Sequence, residues 1–271
     1  MSGQDKTFFR AINRKYPWLK FGILAVLIAL GVLTLMEILM PIRREEEGVS
    51  VRTPMARHVK VPDRPLRVLD GKKLVALTFD DGPSKETTPR LLDILYDKGV
   101  VATFFELGTM ARNNPEIVKR VVENGNEIGS HTMYHQNLGK LSASRIAADV
   151  NEAEAVFAEI LGERPKLVRP PYGSVNSATR STINVPLILW TVDTLDWETK
   201  NTDMIVAEAK RGAFDGAIIL MHDIYDTTVD AVPIIIDELR GMGYEFVTVS
   251  ELADIRGAEL RTGVLYGSFR P

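Results

Sequence analysis

From Lys73 onward, short apolar strand-like runs alternate with amphipathic helix-like segments, and this alternation restricts the fold more than any other feature. VALTF precedes TTPRLLDILYDKG, VATFFE precedes NPEIVKRVVENG, and NEIGSH precedes the long SASRIAADVNEAEAVFAEILG, which opens near Ser142 or Ser144. KLVRP, LILWTV, a helix around Asp203 to Arg211, AIILMH, a helix around Val229 to Met242, then FVTV and a short last helix complete the series. Apolar strands that alternate with helices pair in parallel and are covered on both faces. About seven such units predict an α/β fold closed, or nearly closed, into a barrel rather than an open doubly wound sheet. No G-x-G-x-x-G follows the first strand, so a dinucleotide fold has no support. The chain contains no internal repeat and no low-complexity tract.

The N-terminal quarter obeys a different rule. Phe21 to Met36, FGILAVLIALGVLTLM, carries no charge, and with its apolar flanks the stretch 18–40 is long enough to span a bilayer as one helix. Lys6, Arg10, Arg14, Lys15 and Lys20 precede or enter it against one acid, Asp5, so residues 1–17 are expected to stay cytoplasmic. A cleaved signal peptide would have a shorter apolar core and a small-residue cleavage site, and none follows Met40. The reading is an uncleaved anchor in a bacterial cell membrane, single-pass, with the rest outside. Residues 41–72 are charged, proline-containing and aperiodic, an extracytoplasmic linker that holds His58. Residues 73–255 form the domain and 256–271 a C-terminal tail. At 45% hydrophobic and 25% charged the chain can build a core, its net charge of -3 argues against nucleic acid, and the absence of cysteine excludes disulfides and thiolate sites.

The ionisable residues fall where apolar strands end. VALTF ends in Asp80-Asp81, NEIGS in His131, KLV in Arg169 with Pro170-Pro171-Tyr172-Gly173, LILWTV in Asp193 with Asp196-Trp197, and AIILM in His222-Asp223. In a β/α barrel these ends converge on the face that carries active sites. His131 and His135, four apart, can aim both rings at one point. Joined by one carboxylate of the Asp80-Asp81 pair, they make a three-ligand set that leaves positions open, the pattern of a catalytic divalent metal. The cation offsets the repulsion between the two aspartates, and the second carboxylate is free to act as general base, with Arg169 holding it ionised. His222 is a candidate general acid, with Asp196 as the carboxylate that orients it. Helix capping or surface exposure accounts for Asp193 and Asp223.

The chain resembles the polysaccharide deacetylases with a NodB-homology domain, carbohydrate esterase family 4. The resemblance runs from about Lys73 to about Asp254 and rests on five motifs in order: T-F-D-D-G-P at Thr78 to Pro83, S-H-T-x-x-H at Ser130 to His135, R-P-P-Y-G at Arg169 to Gly173, D-T-L-D-W at Asp193 to Trp197 and I-I-L-M-H at Ile218 to His222. It implies a distorted (β/α)7 barrel. It implies Asp80 as general base, oriented by Arg169, and Asp81, His131 and His135 as metal ligands. It implies the Tyr172 backbone N–H as oxyanion donor and His222 as general acid tuned by Asp196. Trp197, Leu220 and Pro171 would meet the substrate, with Trp197 and Leu220 lining the acetyl-methyl pocket. The segment Asn176 to Leu187 is shorter than the helix usual there.

The resemblance further implies a hydrolase that removes N-acetyl groups from cell-surface polysaccharide and releases acetate. An anchored domain outside the membrane faces wall glycan, so peptidoglycan N-acetylglucosamine or N-acetylmuramic acid comes first. Chitin-like oligomers, an exopolysaccharide and O-acetylated polysaccharide are the alternatives. A wall-binding protein without turnover and a phosphoesterase are weaker readings, because the motif set is intact and the pocket is apolar. The ligand set suits zinc first, then cobalt, manganese, iron or nickel.

Overall fold

A computed structural model describes residue 69 and residues 71–271. The expected cytoplasmic segment, the membrane span 18–40 and nearly all of the linker lie outside the described residues. No helix among the described residues is long and apolar enough to cross a membrane. The elements run β1 (Lys73–Asp80), α1 (Thr88–Asp97), β2 (Thr103–Glu106), α2 (Gly108–Asn113), α3 (Pro115–Glu123), β3 (Glu127–Ser130), α4 (Ala143–Leu161), α5 (Ser177–Thr182), β4 (Leu187–Ile188) and β5 (Val192–Asp193). They continue with α6 (Asp196–Thr199), α7 (Thr202–Gly212), β6 (Ala217–His222), α8 (Asp226–Gly241), β7 (Tyr244–Phe246), α9 (Val249–Ile255) and β8 (Leu265–Tyr266).

The strands β3-β2-β1-β6-β5 pair in that order, all parallel, and β7 pairs with the start of β1 at Lys73 to Val75. Beyond β3, Ser130 bridges Val168, and Val168 bridges Leu187 at the head of β4. The stretch from Leu187 to Asp193 ends in β5, which pairs with β6, so the pairings return to where they began. The sheet therefore curls back on itself, and two of its staves are reduced to single bridges or two-residue strands.

Alternation along β1 decides what each side chain meets. Val75, Leu77 and Phe79 enter a large core with Leu91, Leu92 and Leu95 of α1 and Val232, Ile235 and Ile236 of α8. Leu74 and Ala76 enter a second core with Phe105, Leu167, Ile188, Ile218 and Val247. Thr78 and Asp80 share the parity of that second, inward face. Its lower part is apolar and its upper part polar, and β6 repeats the sequence with Ile218, Leu220 and His222.

Two sequence expectations change. LILWTV is not one strand but β4 and β5, and KLVRP contributes only the Val168 bridge. The cause is Arg169. Its Nε and Nη2 donate to the carbonyls of Ile188 and Leu189 at 3.4 and 3.2 Å, so those carbonyls serve the guanidinium and not a ladder. Pro170 and Pro171 follow, with no N–H to extend the pairing. The segment after Asn176 forms only the six-residue α5, closed by a capping box between Asn176 and Thr179.

The segment 256–271 is built into the domain. β8 pairs with β4, Ser268 bridges Ala217, and Phe269 is buried in the second core with its N–H donated to Gly216 at 2.8 Å. Gly216 has φ +93, and a Cβ there would stand 1.9 Å from the Phe269 carbonyl oxygen, so the close approach needs glycine. Phe269→Ala should cost about 3 kcal/mol of stability, read as a lowered urea midpoint at unchanged slope. A midpoint within error of the unsubstituted protein would show that this segment is not part of the core.

Candidate active site

Register brings the ionisable groups together. Asp80 is paired with His222 across β1 and β6, and with Phe105 across β1 and β2. Glu106, next on β2, faces Ser130 on β3, and the His131 N–H donates to the Glu106 carbonyl at 2.8 Å. The strand ends thus place Asp80, His131 and His222 around one mouth. A cavity of about 410 Å³ opens there, lined by Asp80, Asp81, His131, His135, Tyr172, Trp190, Asp193, Trp197, Leu220, His222 and Tyr225.

Asp80 is buried, and its Oδ1 accepts from Arg169 Nη1 at 2.7 Å. Arg169 is itself fully buried, donates also to Thr78 Oγ1 at 2.8 Å, and lies over the Phe105 ring at 4.1 Å. Burial raises the Asp80 pKa, and the charge and hydrogen bond of Arg169 offset part of that rise. The result is a carboxylate held in one orientation and readier to take a proton than an exposed one.

Asp81, His131 and His135 form a second group. Asp81 Oδ1 lies 3.5 Å from His131 Nε2 and 3.3 Å from His135 Nε2, and one ligand atom from each residue lies within 4.8 Å of the others. His131 Nδ1 is engaged by the Arg169 carbonyl at 2.7 Å, which turns Nε2 toward the carboxylate. Burial drives the His131 pKa down to about 3, against the opposing pull of Asp81, so its ring is neutral at physiological pH. Asp81 Oδ1 is buried without a hydrogen-bond partner. An orphaned carboxylate oxygen facing two imidazole nitrogens fits a divalent cation: the donor types and their number match, and the charge deficit is met.

His222 Nδ1 is 2.8 Å from Asp196 Oδ1. Asp196 is fully buried and its Oδ2 accepts from the His222 N–H and from Thr228 Oγ1, each at 2.7 Å. Burial pulls the His222 pKa down, but the hydrogen bond and charge of Asp196, with Asp80 and Asp81 beyond, outweigh it and raise the value to about 9. The buried His131 and the partly buried His222 thus have opposite protonation, one suited to ligation and the other to proton donation.

The backbone is distorted where these groups meet. The non-glycine residues with positive φ among the described residues are Asp81, Thr132, His135, Tyr172, Leu195 and Lys200. Three are site residues, and Thr132 and Leu195 adjoin His131 and Asp196, the clustering expected where packing holds strain for function. Gly82 meets a tight neighbour: a Cβ there would lie 2.3 Å from Asp223 Oδ2. Asp223 is fully buried, not a surface or capping residue, and accepts a hydrogen bond from Thr88 Oγ1. Glu106 is buried nearby with both oxygens unpartnered, and burial, reinforced by Asp223, raises its pKa well above the usual range.

Of the residues expected at the site, Asp80, Asp81, His131, His135, Tyr172, Trp197, Leu220 and His222 line the cavity, and Arg169 and Asp196 reach it through their hydrogen bonds to Asp80 and His222. Leu220 is buried on the cavity wall, Trp197 is half-exposed at its edge, and Tyr172 is 65% exposed, its ring centre 4.6 Å from that of His135 in an edge-on contact. Pro171 is the exception: it is buried, and the cavity is lined without it. Thr78, Thr228, Trp190 and Tyr225 were not legible, because lone hydroxyls and aromatics carry no spacing signal. Asp193 lines the cavity while its Oδ1 accepts from the Leu195 N–H at 2.9 Å.

A family model described as polysaccharide deacetylase matches residues 68–185. The chain is 41% identical over 208 residues to the peptidoglycan-N-acetylglucosamine deacetylase PgdA of Listeria monocytogenes, covering 77% of this chain and 44% of that one. It is 42% identical over 185 residues to the peptidoglycan-N-acetylmuramic acid deacetylase PdaC of Bacillus subtilis, covering 68% and 40%. The chain thus spans about two fifths of the length of these curated relatives. Among solved structures, a family 4 acetyl xylan esterase from Clostridium thermocellum in complex with a cobalt ion superimposes with TM-score 0.69 at 33% identity, covering 72% of this chain and 98% of that one.

The pairing of His222 with Asp196 is directly measurable. In metal-free protein the His222 ring should titrate near 9 by NMR, and Asp196→Asn should bring it down toward 6.5. Because the folded value is raised, the pair's stabilisation is complete below about 6.5 and is lost as pH rises through about 9. A His222 ring that titrates near 6.5 in both proteins would refute the arrangement.

Proposed function

The chain belongs to the polysaccharide deacetylases of carbohydrate esterase family 4, and from that premise we propose that it hydrolyses N-acetyl groups on cell-wall glycan. Peptidoglycan N-acetylglucosamine or N-acetylmuramic acid is the first substrate class, as the activities of its relatives suggest. The observation that carries the reading is the convergence of an oriented carboxylate, a metal-ligand set and a carboxylate-held histidine on one cavity with Leu220 in its wall.

Asp81, His131 and His135 would hold the divalent cation, zinc first, with cobalt, manganese, iron or nickel as alternatives. Bound there, such an ion supplies positive charge that polarises the acetyl carbonyl and acidifies water. Asp80 takes the proton of the attacking water, with Arg169 keeping the carboxylate aimed. The water oxygen bonds to the acetyl carbon, and the electron pair of the C=O moves onto oxygen. The Tyr172 backbone N–H donates to that oxyanion. As the C–N bond breaks, His222 gives its proton to the departing nitrogen, and Asp196 holds the resulting ring. Acetate and a free amino sugar result. Trp197 and Leu220 exclude water around the methyl group.

Residues 18–40 would anchor the domain outside a bacterial cell membrane, beside this substrate. Protease added to intact protoplasts should then digest residues 73–271; protection of the domain there would reverse the orientation. The chemistry is tested by acetate release from N-acetylglucosamine oligomers and from peptidoglycan. Asp80→Asn should lower kcat by about a thousandfold with its metal content unchanged, whereas His131→Ala should lose the metal itself. Full turnover in Asp80→Asn would remove Asp80 from the role of base.

A further inference from the structure

The loop that carries His135 is held by a carboxylate with no part in the mechanism above. His131 is fixed on its own account: it is buried, its N–H donates to the Glu106 carbonyl at 2.8 Å, and its Nδ1 meets the Arg169 carbonyl at 2.7 Å. His135 has no such hold. Its ring meets Asp81, His131 and Tyr172, and its place depends on the backbone of Thr132, Met133 and Tyr134 that leads to it. That backbone is bent at both ends, with φ 73 at Thr132 and 55 at His135. A β-branched residue in the left-handed region persists only where its surroundings impose it.

The hydrogen bonds of the loop show what imposes it. The N–H groups of Gly108 and Thr109, at the start of α2, donate to the carbonyls of Thr132 and Met133 at 2.9 and 3.3 Å. The Thr132 N–H donates to Ser130 Oγ at 3.2 Å. The Met133 N–H donates at 2.7 Å to Oδ1 of Asp149, a residue of α4. The loop is confined between these two helices: a Cβ on Gly108 would stand 2.4 Å from Met133 Sδ and 3.0 Å from Ala153 Cα. Asp149 is buried, and none of its partners is an arginine or a lysine. Its Oδ2 and the hydroxyl of the neighbouring Thr132 are buried with no hydrogen-bond partner. A carboxylate taken out of water without a counter-charge is costly, so its presence calls for a role that an apolar side chain could not fill. Accepting from the backbone midway between the two histidines is such a role.

We propose that Asp149 is a positioning residue for the cation site: through the Met133 N–H it sets His135 against His131 and Asp81. The inference rests on the reading of those three residues as metal ligands. A side chain at 149 that cannot accept leaves the Met133 N–H buried and unpaired. The strained turn then relaxes, and His135, the less buried of the two histidines, leaves the position in which its Nε2 lies 3.3 Å from Asp81. His131 stays, because none of its holds passes through Asp149.

The test compares the full chain with Asp149→Leu, Asp149→Asn and Phe157→Leu, the last a core change on the same helix. Cobalt binding to the metal-stripped proteins is read by calorimetry. Asp149→Leu should weaken it by about 10- to 100-fold, the usual cost of losing a group that orients a metal ligand. Asp149→Asn keeps an acceptor for the Met133 N–H, and its amide can donate to the Thr132 hydroxyl, so affinity should stay within about threefold of the unsubstituted protein. Phe157→Leu loosens α4 without touching that bond and should stay within about twofold. Before any metal is added, NMR should show the His135 ring signals displaced and the Met133 amide exchanging faster in Asp149→Leu, with the His131 ring signals unmoved. Unchanged cobalt affinity in Asp149→Leu, or an equal loss in Phe157→Leu, overturns the proposal. Should cobalt fail to bind the unsubstituted protein, the ligand reading fails, and the ring and amide signals still decide whether Asp149 places His135.

Discussion

The buried ion pair between Arg169 and Asp80 is the constraint on which both the fold and the site depend. Removing two charges from water is costly, and the cost is met only when every donor and acceptor is used. Arg169 comes close to that condition, with four of its five donors on Asp80, Thr78 and the carbonyls of Ile188 and Leu189 and its plane over Phe105. These partners come from β1, β2 and the stretch that includes β4. One guanidinium therefore ties together three staves that backbone pairing alone joins only in part. Its carbonyl also fixes the His131 ring. Lysine, a single point charge, could not satisfy this set of directions.

Around that pair the site separates its charges by environment. His131 is neutral because it is buried against an arginine, a second histidine and few compensating groups. His222 is protonated because Asp196 reaches it with a hydrogen bond and full charge. Asp80 has a permanent cation beside it, and Asp81 has a buried oxygen that nothing in the protein satisfies. The same two residue types thus take four different states, each set by what surrounds it. The strained φ values at Asp81, His135 and Tyr172 show what holds them in these roles: short turns whose ends are set by parallel strands and cannot relax independently.

The sequence by itself determined the class of fold and the main chemistry. Alternating apolar runs and amphipathic helices dictate parallel strands, because a strand buried on both faces must be covered on both. Ionisable residues at successive strand ends dictate a shared mouth, because parallel strands all point the same way. The gathering of Asp80, Asp81, His131, Arg169 and His222 follows from that rule, while His135 and Asp196 lie beyond the strand ends, on the turns that follow. Tertiary structure decided the rest. It broke LILWTV at the carbonyls that Arg169 claims, drew Phe269 and β8 into the core, and buried Pro171 away from the cavity. It brought Thr228 to Asp196 and Tyr225 to the wall of the mouth. None of these has a local signal, since each depends on a hydrogen bond or contact between segments distant in sequence, and periodicity records only which face a residue takes and not which partner it meets.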